Sequence, residues 1–174
     1  MIKTEDLRTA VADALKYIKK QKDVIDAEVF ASWNDLITIR LNYTSDIPCN
    51  GIHEPKSIQS YGLGILATFK RGNRVEVGFG SVTNDLTKGG VLDALEKAKR
   101  NRVYDPDFRA LPEFIDKPAL TNYHDRRVME ISGKETVDLG WKALNGALKT
   151  LHAGGHKKTI IIGGDVTILR ERMA

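Results

Sequence analysis

The chain has 174 residues, room for one ordinary domain or for one domain and the opening of a second, so a core can form without disulfides or a structural metal. Hydrophobic residues make up 41% and charged residues 29%, a globular balance that excludes a disordered or fibrous chain, and no apolar run approaches the roughly 18 residues of a membrane span. The net charge of +4 comes from 27 Lys and Arg scattered among 23 Asp and Glu rather than gathered in a block, a pattern that speaks against nucleic acid as a partner.

Residues 1–6 are polar and acidic and lack the basic, apolar and small-residue order of a secretory signal, which points to the cytoplasm. Thr4 is the expected N-cap of a first helix, with Glu5 and Asp6 near its positive dipole end. Leu7, Val11, Ala14, Leu15 and Ile18 then recur at helical spacing, so one face of this helix must pack on something. Residues 27–33 and 36–43 read as a hairpin turning at Asn34-Asp35, because Ile37, Ile39, Leu41 and Tyr43 alternate with Thr38, Arg40 and Asn42. Residues 45–56 hold Pro48, Gly51 and Pro55 and follow neither period, the mark of an exposed loop. The lone Cys49 inside it has no disulfide or CxxC partner and reads as an unreactive thiol.

A second hairpin is expected over residues 58–79. Tyr61, Leu63, Ile65, Ala67 and Phe69 share one face, Arg71-Gly72-Asn73 make the turn, and Val75, Val77 and Phe79 return. Gly62, Gly64, Gly78 and Gly80 are expected on the opposite face, leaving it bare for another backbone or a helix to approach. Thr87 is the expected N-cap of a helix over residues 88–102, stapled by Leu86 and Val91 and buried along Val91, Leu92, Leu95 and Ala98. Gly89 and Gly90 weaken its first turn by about 1 kcal/mol each relative to alanine, so tertiary packing must hold that end.

Pro106, Pro112 and Pro118 mark residues 105–127 as a connector. Ser132-Gly133-Lys134-Glu135 matches a capping box, and Val137, Trp141, Leu144, Leu148 and Leu151 follow at helical spacing until Gly154-Gly155 closes the helix. Residues 159–169 read as a strand with a bulge at Gly163-Gly164, and with no strand after it to pair with, it suggests a second domain that has only begun. The expected class is α+β, a mixed or antiparallel sheet of two hairpins covered by helices. Residues 1–104 form the first domain, 105–127 the connector, and 128–174 the truncated start of a second α+β domain.

Specific residues carry a resemblance. The run Ser60-Tyr61-Gly62-Leu63-Gly64-Ile65, followed after the hairpin by Gly78-Phe79-Gly80-Ser81-Val82-Thr83-Asn84-Asp85-Leu86, is similar to the amino-terminal region of the TldD/PmbA family. That region shows a tyrosine-glycine-x-glycine strand, a glycine-rich strand, and an aspartate-leucine turn opening a helix. Ala27-Glu28-Val29 resembles the family's first strand, and residues 91–98 its alanine-rich helix, so the resemblance spans residues 4 to 115. The family comprises zinc-dependent peptidases and non-catalytic partners. The resemblance therefore implies a scaffold and partner-contact portion, a homologous subunit as homodimer or heterodimer partner, and a peptide substrate in the complete assembly.

Active members carry His-Glu-x-x-x-His on a later helix, and this chain has no such motif. No catalytic, cofactor-binding or metal residue is assigned here, zinc is expected only in a catalytic full-length member, and this chain alone is expected to be inactive. His152 and His156 have suitable spacing for a metal, yet Gly154 and Gly155 interrupt the helix, no glutamate stands beside either, and Lys157 and Lys158 repel a cation. His53 beside Glu54 and His124 beside Asp125 read as solvated loop residues. Gly62-x-Gly64 and Gly78-x-Gly80 sit inside strands with no GxxxxGK[ST], so strand packing is favoured over phosphate binding. Trp33 and Trp141 read as core or edge aromatics. The rival reading is a free-standing interaction module that uses the glycine-rich face or the loop from Pro48 to Pro55.

Overall fold

Strict alternation decides the longest strand. In the computed structural model, which describes residues 2–47, 50–113, 121–156 and 159–174, strand β1 runs unbroken over Val24–Thr44. Val29, Ala31, Trp33, Asp35, Ile37, Ile39 and Leu41 are all buried, every second residue, as a strand with one covered face requires. The expected turn at Asn34-Asp35 is therefore absent. Asp35 stays in phase with its apolar neighbours because a buried cation meets it.

The other strands are β2 (Gly51–Ile52), β3 (Lys56–Arg71), β4 (Arg74–Thr83), β5 (Val103–Tyr104) and β6 (Ile161–Met173). Helices are α1 (Thr4–Ile18), α2 (Lys88–Arg100), α3 (Arg126–Glu130) and α4 (Gly133–Ala153). The architecture is α+β. Hydrogen bonds order the strands β2-β1-β3-β4-β5, with β6 also on β1. Pro48, Cys49, Pro118, Lys157 and Lys158, on which sequence expectations fell, lie outside the described residues. The chain forms two units interleaved in sequence: Met1–Asn34, Ser60–Ala119 and Glu171–Ala174 in one, Asp35–Gln59 and Leu120–Arg170 in the other.

In the first unit, α1 starts one residue earlier in its capping than the sequence suggests. Lys3, not Thr4, occupies the N-cap, because its backbone N–H reaches the Asp6 carboxylate at 2.7 Å and satisfies the helix opening from the third helical residue. Leu7, Ala10, Ala14 and Ile18 form the buried face. Leu7, Ala14 and Ile18 join Trp33, Leu63, Ile65, Ala67, Phe69, Val91, Ala94, Leu95 and Ala98 in one core. Leu92 is exposed instead, and Ala94 takes its expected place; α2 ends at Arg100.

The β3–β4 hairpin turns as expected, with Gly72 at φ +60° in the first central position between paired Arg71 and Arg74. That two-residue turn sets the register, and the register corrects the placement of the glycines. Ile65 pairs with Gly80 and Ala67 with Gly78, and directly paired residues share a face, so Gly78 and Gly80 lie on the core side. There α2 presses its backbone into the sheet: a Cβ on Gly80 would meet the Ala94 carbonyl oxygen at 2.0 Å, and one on Gly78 the Ala98 oxygen at 2.1 Å. Gly64 lies on the other side, under the Phe30 ring.

In the second unit, α4 opens with the expected capping box. Glu135 N–H donates to the Ser132 hydroxyl at 3.2 Å, and Ser132 N–H to the Glu135 carboxylate at 2.8 Å. Its buried residues are Thr136, Gly140 and Leu144; Trp141 stays 41% exposed and covers Gly51, whose φ of +130° has no room for a side chain. The expected bulge at Gly163-Gly164 does not form. Ser45 meets Ile160, Arg40 meets Asp165 and Asp35 meets Arg170, equal steps of five residues on both strands, so no extra residue is inserted. The last strand also finds a partner, β1, upstream of it rather than after it. α3, β2 and β5 had no sequence signal strong enough to be expected.

Candidate functional site

The first unit contains a groove of about 520 Å³ between α1 and the start of α2, lined by Asp6, Thr9, Ala10, Asp13, Tyr17, Leu86, Thr87, Lys88 and Val91. This is the size of a small-ligand or side-chain pocket. Helix periodicity puts Asp6, Ala10, Asp13 and Tyr17 on one side of α1, while Thr87 caps α2 by accepting from Gly89 N–H at 3.2 Å. Asp85 holds the turn before the cap, its carboxylate accepting Thr87 N–H at 2.8 Å. Hydrogen bonds from the Thr87 side chain and backbone keep that carboxyl below its usual range. Lys88 Nζ lies 5.7 Å from the centroid of the Tyr17 ring. The lining offers carboxylates, hydroxyls, one ammonium and an apolar floor.

The second unit presents a different surface. Among the described residues β6 pairs with β1 alone, and a strand paired on one side is where another strand can add. On β6 Ile161 is 73% and Leu169 60% exposed.

Asp35 is the residue that sequence reasoning missed most completely. It is fully buried, accepts from the Ser57 hydroxyl at 3.0 Å, and forms an ion pair with Arg170. Arg170 also donates to the carbonyls of Met129 and Ile131 at 3.1 and 3.2 Å, on either side of the α3–α4 junction. The available signal was its odd-numbered position within the alternation, which the turn propensity of Asn34-Asp35 masked.

His152 lies in the last turn of α4, and His156 follows Gly155, which has φ +87°. His53 Nε2 sits 3.2 Å from the Asn42 side-chain amide. His124 precedes α3, where Asp125 is engaged by Arg127 at 3.0 Å. The Arg127 side chain and backbone keep the Asp125 carboxyl low. No group of three or more His, Cys, Asp or Glu that could hold a metal ion occurs among the described residues. No helix among them is long and apolar enough to cross a membrane.

Among solved structures, TldE from Thermococcus kodakarensis is similar to this chain. The likeness covers 94% of this chain and 38% of that one, at 15% identity and a TM-score of 0.44, so the chain spans well under half the length of that protein. No protein-family model matches the sequence, and no curated protein does.

Trp33 is a core residue, 2% exposed, with the Arg172 guanidinium 4.4 Å from its ring centroid. The glycine-rich face that the interaction-module reading would use is divided: α2 occupies the Gly78 and Gly80 side, and Phe30 covers Gly64.

Proposed function

We propose that this chain is the amino-terminal scaffold and partner-contact part of a TldD/PmbA-like peptide-processing protein, either a metallopeptidase or its non-catalytic partner subunit. Peptide cleavage then belongs to polypeptide outside these residues, in a cytoplasmic assembly. The observation that carries the partner-contact role is the exposure of Ile161 and Leu169 on β6, a strand that among the described residues pairs with β1 alone. The family reading rests on the run from Ser60 to Ile65 and the run from Gly78 to Leu86, whose glycines and aspartate have physical work in this fold. Gly78 and Gly80 admit α2, and Asp85 fixes the turn that opens it.

The test is sedimentation velocity of the purified chain, alone and with a homologous subunit, beside an Ile161→Lys/Leu169→Lys variant. Association of the wild type and its loss in the variant are expected. A wild-type chain that stays monomeric in both mixtures overturns partner contact through β6, and zinc uptake with peptide cleavage by the chain alone overturns the non-catalytic role.

The groove between α1 and α2 favours a second reading, a stand-alone module that binds another protein with no peptidase attached. Coding sequence beyond Ala174 that contains His-Glu-x-x-x-His would exclude it.

A further inference from the structure

Cations that are scattered in the sequence converge at one end of the first unit. Segments 19–23, 70–76 and 96–107 are tied together there by Lys70 N–H donating to the Asp23 carbonyl at 3.0 Å. Lys99 reaches the Asp23 carboxylate at 3.2 Å, Arg102 reaches Glu76 at 2.9 Å, and Glu76 pairs with Tyr104 across β4 and β5. These segments hold ten Lys and Arg against five Asp and Glu, a surplus greater than the +4 of the whole chain. The field at this end is therefore positive while the rest of the molecule is close to neutral.

Helix dipoles account for part of it. Lys97, Lys99 and Arg100 lie in the last turn of α2, where cations are favoured without any ligand. The hairpin tip has no such reason. Arg71 and Arg74 are paired directly opposite each other, an arrangement of like charges that costs stability, while Lys70 is exposed on the other face of β3. Arg71 is offset by Glu76 at 3.2 Å. Arg74 instead lies over the Tyr104 ring, 5.0 Å from its centroid, and Tyr104 is 50% exposed. A half-exposed ring with a guanidinium beside it, set among cations, is the combination that stacks a base while holding phosphates.

We propose that this end of the first unit binds single-stranded nucleic acid, with backbone phosphates on Arg74 and Arg100 and a base on the Tyr104 platform. The inference stands independently of the peptide-processing role. An acidic membrane would be drawn by the same charge, which the vesicle comparison below separates, and duplex DNA offers no unstacked base to Tyr104.

The experiment is fluorescence anisotropy of the full chain with a labelled single-stranded oligoribonucleotide and with oligo-dT, titrated at several NaCl concentrations. The logarithm of the affinity is expected to fall linearly with log salt, and the Arg74→Ala/Arg100→Ala double variant to reduce the magnitude of that slope by about 1.4. Neither residue takes part in an ion pair among the described residues, so the fold should persist, which circular dichroism checks. Tyr104→Ala should weaken binding about tenfold and Tyr104→Phe should retain it. Absence of salt-dependent binding, an unchanged slope in the double variant, or equal affinity of Tyr104→Ala and wild type each overturns the proposal. So does tighter binding to phosphatidylserine vesicles or to duplex DNA than to the single strands.

Discussion

Asp35 on β1 and Arg170 on β6 form an enclosed ion pair, the carboxylate fully buried and the guanidinium 8% exposed. Ser57 satisfies the second carboxylate oxygen, and the main-chain oxygens of Met129 and Ile131 take the second terminal guanidinium nitrogen, while Arg170 Nε is buried without a hydrogen-bond partner among the described residues. Removing one partner leaves a charge stranded where water cannot reach it. Arg170→Met should therefore destabilise the protein by about 3–5 kcal/mol in urea unfolding, and Asp35→Ala similarly. A double variant, Asp35→Leu/Arg170→Met, should recover most of the loss, because no uncompensated charge remains. Additive losses in the double variant would show that the pair does not act as a unit.

The sequence was legible where one local rule decided the structure. Ser132 and Glu135 announce α4 through reciprocal hydrogen bonds three residues apart, and Thr87 announces α2. It misled where two rules competed. Asn34-Asp35 carries turn chemistry, yet Asp35 also fits the alternation, and Arg170, 135 residues away, decides for the strand. Gly163-Gly164 suggested a bulge, but an uninterrupted ladder holds both residues in extended pairing. The face of Gly78 and Gly80 depended on whether the turn contained two residues or three, which reverses every side chain of β4. The basic end was invisible because its three segments are separated by dozens of residues, and only strand pairing brings Glu76 to Tyr104 and Lys70 to Asp23.

Gly80 should be intolerant of any side chain. The Cβ of Gly80→Ala would meet the Ala94 oxygen at 2.0 Å and the Ala98 nitrogen at 2.6 Å, both backbone atoms of α2. The helix must then lift from β4, at a cost of about 1–3 kcal/mol or more. Gly146 provides the contrast, since it lies within α4 with nothing within 4 Å of the place a methyl group would take. Gly146→Ala should stabilise the protein by roughly 1 kcal/mol. Thermal unfolding of the two variants should shift in opposite directions, and a shift in the same direction would refute the close approach of α2.

Gly51 should fail for a different reason. Its φ of +130° is a conformation that L side chains rarely adopt, and its Cβ position lies 2.8 Å from Leu144 Cδ2 and 3.1 Å from the Trp141 ring. Gly51→Ala combines backbone strain with the displacement of two α4 side chains. The expected signature is lower stability together with a red-shifted tryptophan emission, as Trp141 is pushed into water. Trp33 contributes a second fluorophore, so the same measurement in a Trp33→Phe background isolates the shift. An unchanged emission maximum there would separate Gly51 from Trp141.

The capping box of α4 should make part of the stability depend on pH. Glu135 accepts from Ser132 N–H at 2.8 Å and from the Ser132 hydroxyl at 2.7 Å, and the backbone bond first, then the hydroxyl bond, hold its carboxyl below the ordinary glutamate range. A carboxyl whose pKa is depressed on folding binds protons more readily in the unfolded chain, so its contribution is complete above the unfolded pKa and is lost as pH falls through the folded one. Asp125, held low by Arg127 at the start of α3, adds to the same acid-side loss. In Glu135→Gln the side chain can still accept from Ser132 but no longer titrates. This variant should therefore lose less stability than the wild type between neutral pH and the acid side of the glutamate range. Equal losses in the two proteins, followed by circular dichroism during urea unfolding at each pH, would mean that the Ser132–Glu135 box does not couple folding to protonation.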